Sequence, residues 1–170
     1  SHQAVLAICD WLDRTSGTPD DRIALIRFAE RADLIPAAIA AKAKKAFTAA
    51  FAAGASVGGG TSLTQAVEKA GEALQGVGGR RVVVLITDGQ VAENPAALAQ
   101  LIARLDEAAD SVYLLALDHD NAWTASTHLR WAHLPLTATT RIGALTEGHL
   151  AYAIAEILIG ETGLTTKGAP

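Results

Sequence analysis

Gly58-Gly59-Gly60-Thr61-Ser62-Leu63 and, further along, Val82-Val83-Val84-Leu85-Ile86-Thr87-Asp88-Gly89 are the stretches that decide the fold. The second is a run of apolar, mostly β-branched residues closed by Asp-Gly. That is the pattern of a strand buried on both faces and ending in a turn. The first is a glycine loop opening onto Leu63, Ala66, Val67, Ala70 and Leu74, apolar residues at helical spacing. A Thr hydroxyl is thereby expected at the mouth of a helix, and an Asp carboxylate just past the end of a strand. In an open α/β sheet that edge is where ligands bind. Two hard oxygen donors there suit Mg²⁺ or Mn²⁺ better than zinc.

Working outward, helical and strand patterns alternate. Residues 4–12 read as an amphipathic helix with Val5, Ile8, Cys9 and Leu12 on one face. Residues 22–28 read as a mostly buried strand, and 32–36 as an edge strand because it ends in Pro36. Helices are expected over 37–53, 62–74 and 95–109, the last with proline in its first turn. Strands are expected over 81–87, 112–117 and 136–142. A short helix and loop fit 121–132, and a final helix fits 146–159. The alternation predicts an α/β fold: a doubly wound, mostly parallel sheet with helices on both faces and one antiparallel edge strand. One domain over residues 1–160 and a flexible tail over 161–170 follow.

Composition narrows the function. The chain has 170 residues, 50% of them hydrophobic and 19% charged, which suits one sizeable core. A net charge of −4 argues against a nucleic-acid surface, which needs clustered Lys and Arg. Lys42, Lys44 and Lys45 read as a solvated helix face. No apolar run is long enough to span a bilayer and nothing resembles a signal peptide, so a cytoplasmic location without membrane insertion is expected. The single Cys9 excludes an internal disulfide framework and reads as a core thiol.

The glycine loop admits competing readings. A phosphate cradle would need Lys after Gly60, and Thr61 stands there instead. Thr61 as a plain helix cap and Asp88 as a plain turn residue are common structural devices. The functional reading rests on the two occurring together, in order, in an α/β pattern. No Gly-x-Ser-x-Gly elbow or carboxylate pair supports hydrolase chemistry. Asp118-His119-Asp120 follows a strand, so it falls on the same edge; it reads as a metal-proximal or partner-contacting loop or, in preference, as a polar turn closing the strand. His128 and His133 lack zinc-ligand spacing. Trp123 and Trp131 are expected to pack the 121–132 segment onto the body.

Taken together, Arg22-Ile-Ala-Leu-Ile-Arg-Phe28, Gly59-Gly60-Thr61-Ser62-Leu63 and Val83-Val-Leu-Ile-Thr-Asp-Gly89 resemble the second strand, the Gly-Gly-Thr-x-Leu loop and the fourth strand of the von Willebrand factor type A domain. The resemblance implies a three-layer Rossmann-like sandwich carrying a metal-ion-dependent adhesion site built from three loops. It implies that Thr61 coordinates the cation directly, that Asp88 does so directly or through water, and that a partner protein supplies a carboxylate. The remaining ligands of such sites lie in an Asp-x-Ser-x-Ser loop after the family's first strand. This chain opens in what reads as the helix beyond that loop, so a complete Mg²⁺ or Mn²⁺ site is conditional on residues ahead of Ser1. That first strand lies centrally in the family's sheet, and leaving it out is expected to open two strand edges. The resemblance further implies work beside an ATPase or within a larger bacterial assembly. The alternatives are a metal-free scaffold and a small phosphohydrolase-like enzyme using the same loop and Asp88.

Overall fold

The computed structural model describes residues 6, 9, 21–53, 61–118, 123–143 and 147–162. The element order is β1 (Arg22–Phe28), β2 (Ala32–Ile39), α1 (Ala40–Ala52), α2 (Leu63–Leu74), β3 (Val82–Thr87), α3 (Pro95–Ala108), β4 (Ser111–Leu117), α4 (Ala125–Trp131), β5 (Ala138–Ile142) and α5 (Glu147–Thr162). The α/β class and the antiparallel edge pairing are as expected. The Gly58–Gly60 loop, Ser1, His119 and Asp120 lie outside the described residues.

β1 and β2 pair antiparallel, from Arg22 opposite Ile39 to Phe28 opposite Ala32. The register slips between Ile23 and Leu25, which face Ala38 and Ile35. Pro36 falls in that irregularity, where a residue without an N–H leaves no ladder bond unmade. The strand therefore continues past its proline to Ile39, and α1 starts later than the helix expected from residue 37. β3, β4 and β5 form a parallel sheet in that order. Val82 lies opposite Ser111 and Thr87 opposite Ala116, and Leu117 reaches Ile142.

Alternate residues of each strand face opposite layers. Val83 and Leu85 of β3, Val112, Leu114 and Ala116 of β4, and Ile26 and Phe28 of β1 all join one core with α2 and α3. On the other face the core divides. Val84 and Ile86 pack with Leu115, Ile142 and α5, while Ile23 and Leu25 pack with Ile35, Ala43, Phe47 and Cys9. Cys9 is buried there, as its spacing predicted.

The sheet is not continuous among the described residues: β1–β2 and β3–β4–β5 are separate. The break falls where open edges were expected. It also corrects the reading of β3 as a strand covered throughout. Within Val82–Thr87 only Leu85 and Thr87 are buried, whereas β4, flanked on both sides, is buried at all but Tyr113 and Leu117.

At the starts of β3 and β4 charges gather. Arg81 Nη2 pairs with Asp110 Oδ1 at 3.3 Å, and its backbone N–H donates to Asp110 Oδ2 at 2.7 Å. The Glu161 carboxylate, near the end of α5, accepts from Tyr113 Oη and pairs with Arg80. The helix consequently runs through Glu161 to Thr162 rather than stopping at Ile159, so the start of the expected tail is helical.

Candidate functional site

Thr61 and Asp88 lie on adjoining loops at the C-terminal edge of the parallel sheet. Thr61 immediately precedes Ser62, the N-cap of α2. Asp88 immediately follows β3. Both are half-buried. Asp88 Oδ1 accepts from the Gln90 N–H at 3.0 Å, which closes the Asp-Gly turn. Gly89 takes φ +78°, a left-handed conformation that glycine adopts without steric penalty.

The two loops are joined directly. The Ala92 N–H donates to the Thr61 carbonyl at 2.8 Å, and the Ser62 N–H donates to Ala29 O at 2.6 Å, tying both to the end of β1. Glu93 reaches across from the Asp88 side. Its Oε1 accepts from Leu63 N at 2.7 Å, Ser62 Oγ at 3.0 Å, Thr64 N at 3.1 Å and Thr64 Oγ1 at 3.2 Å. A carboxylate at a helix N-terminus also meets the positive end of the helix dipole. Burial pushes the Glu93 carboxyl up. The backbone N–H of Glu93 itself, the Thr64 amide, the Ser62 hydroxyl and the Leu63 amide favour the charged form, outweigh that and hold it below its ordinary value.

This arrangement bears on the phosphate reading. The α2 amides that an anion would use already donate to the chain's own carboxylate, so the helix end does not stand open as a phosphate cradle. Glu93 was not singled out in the sequence. Its partners stand some thirty residues earlier in the chain, a separation no local pattern reports.

Beneath the Asp-Gly turn lies an aromatic floor. Trp123 and Trp131 are buried, their ring centroids 6.0 Å apart and tilted by 52°. Trp131 Nε1 donates to Gly89 O at 3.4 Å, and Gln90 Nε2 to Thr127 Oγ1 at 3.3 Å. Arg130 donates to Val91 O at 3.3 Å and also to Glu93 O. Both tryptophans thus pack their segment onto the body, as read from the sequence.

Asp118 is engaged structurally: its Oδ1 accepts from Trp123 N at 3.0 Å and its Oδ2 pairs with Arg141. His128 and His133 are exposed. Among the described residues no group of three or more His, Cys, Asp and Glu could hold a metal. Thr61 carries a hydroxyl and Asp88 a carboxylate, oxygen groups of the type Mg²⁺ takes, and two such groups could fill only part of the octahedron it demands.

Comparison with known proteins places this geometry. The structure is similar to that of the conserved hypothetical protein BatB from Bacteroides thetaiotaomicron, with TM-score 0.63, 16% identity, and coverage of 92% of this chain and 86% of that one. It is also similar to an aerotolerance-related membrane protein from Bacteroides fragilis, with TM-score 0.59, 17% identity, and coverage of 91% and 84%. At such identities the likeness is one of fold. Among the described residues of this chain no helix is long and apolar enough to cross a membrane. No curated protein sequence matches. The family model for the von Willebrand factor type A domain matches residues 2–90, a span that takes in both Thr61 and Asp88. The chain belongs to the von Willebrand factor type A domain family.

Proposed function

We propose that this chain is a protein-interaction module that binds through the loops at the C-terminal edge of its parallel sheet. Thr61 and Asp88 provide part of a divalent-cation site there, and a carboxylate of the partner completes it. The observation that carries the reading is the joining of the Thr61 and Asp88 loops through the Ala92–Thr61 and Glu93–Ser62 hydrogen bonds. It brings a hydroxyl and a carboxylate to one edge, where α/β sheets bind ligands. When bound, Mg²⁺ supplies an open position for a carboxylate oxygen. Thr61 would contribute a neutral donor, leaving the cation most of its charge, and Asp88 a charged one. The remaining positions would be filled by donors other than these two side chains.

Thermal or urea unfolding with and without Mg²⁺ tests this on a chain that includes the preceding residues. At a concentration about ten times Kd, stabilisation of about 1.4 kcal/mol is expected. Asp88→Ala abolishes it. A Mg²⁺ response that survives Asp88→Ala sinks the assignment.

A second reading, a metal-free scaffold, draws on the same hydrogen bonds: the loops are held by the chain's own groups without a cation. No response to Mg²⁺ or Mn²⁺ in that longer chain, with partner binding intact, selects it.

A further inference from the structure

Ser62 stands where a serine side chain ordinarily accepts a hydrogen bond from an amide of its own helix. It caps nothing. Its hydroxyl donates to Glu93 Oε1, and that oxygen takes the Leu63 and Thr64 amides in its place. A cap was at hand within the helix, and the chain uses one from another loop. The choice is not free. Glu93 Oε2 is buried with no hydrogen-bond partner among the described residues, and desolvating a carboxylate oxygen without a partner is costly. Helix capping alone does not explain that cost, because a local Ser or Asp cap would satisfy an α2 amide while staying in water.

What the distant cap adds is a link between loops. From below, α4 fixes the segment after Asp88: Arg130 holds the Val91 and Glu93 carbonyls, Trp131 holds the Gly89 carbonyl, and Thr127 meets Gln90. From the side, Glu93 holds the first turn of α2, and Ala92 holds the Thr61 carbonyl. We propose that Glu93 is a positioning residue for the Thr61–Asp88 site. It fixes the separation of the two oxygen donors by making the start of α2 and the loop after Asp88 move as one unit, and Arg130 holds Glu93 in place. The functional meaning rests on the metal-dependent reading above. The mechanical content is testable without any cation.

The test is residue-resolved amide exchange on the full chain, comparing wild type with Glu93→Ala and with Glu93→Ala combined with Ser62→Asp. In Glu93→Ala, exchange rises about tenfold or more at 62–64 and at 89–92 together, while 68–72 stay protected. Adding Ser62→Asp supplies a local cap. It restores protection at 64, whose amide the N-cap side chain can reach, and leaves 63 and 89–92 exchanging fast. A rise confined to 62–64, or recovery of both segments with the local cap, overturns the proposal. Glu93→Gln keeps the shape and an acceptor oxygen, and serves if the alanine variant does not fold. There a smaller paired rise is expected, and a rise at 62–64 alone again overturns it.

Mn²⁺ titration by water-proton relaxation is the second arm, on the chain with its preceding residues. Affinity falls about tenfold in the capped double variant. Wild-type affinity in that variant overturns the positioning role. Paired exchange in a protein that binds no Mn²⁺ leaves the positioning unit standing and removes the metal reading instead.

Discussion

At Gly89 two demands meet. Its φ of +78° is strained for any residue with a side chain, and an added Cβ would lie 2.6 Å from Thr127 Cγ2 and 2.9 Å from Trp123 Cζ2. Neither neighbour can give easily, because Thr127 and Trp123 are themselves buried. Gly89→Ala is therefore expected to cost about 2–4 kcal/mol in urea unfolding. A loss below about 1 kcal/mol would show that the aromatic floor is loose. The glycine was legible in the sequence as part of an Asp-Gly turn, and the places of Thr61 at a helix mouth and Asp88 just past a strand were legible too, because each is announced by its immediate neighbours. Glu93 and Arg130 were not, since what they do depends on groups brought near only by the fold. Asp118 was readable as a polar turn residue, but its pairing with Arg141 at the far end of β5 was not.

Among the elements, helix starts were predictable where the cap is local. Asn94 Oδ1 accepts from Ala97 N at 2.9 Å, with Pro95 opening α3. Asn94→Ala is expected to lower stability by about 1 kcal/mol, read from the urea midpoint at unchanged m-value. The end of α5 was not predictable, because it is held by side chains from other elements. Burial raises the Glu161 carboxyl, but hydrogen bonds from Tyr113 and Ser111 and the Arg80 guanidinium more than offset this and hold it below its ordinary 4.5. In turn the Glu161 hydrogen bond, with burial, pushes the Tyr113 phenol up. The sign follows from the lowered pKa. This contribution is fully present above pH 4.5 and disappears as pH falls through the lower folded value. Wild type should thus lose its advantage over Glu161→Gln on going from neutral pH to below that range. A thermal-melt difference between the two that does not change with pH would contradict the assignment.

For the molecule as a whole, alternation of strand and helix made the α/β class legible, and three short motifs made the family legible. The division into two sheets is a matter of long-range pairing. It could be anticipated only through the resemblance, since β3 by itself reads as a fully covered strand. Its consequence is measurable. Amides of β3 and β1 should exchange about tenfold or more faster than those of β4, whose neighbours flank it on both sides. Equal protection in all three would mean that the open edges are covered. The long-range cap has a consequence of another kind, in time rather than space. Glu93 follows Leu63 by thirty positions. A ribosome adding residues in order delivers α2 well before the carboxylate that finishes its first turn. During that interval the first turn of α2 lacks its cap, and it is completed only once the chain has passed the Asp-Gly turn, so the two loops join in one step that cannot precede Glu93.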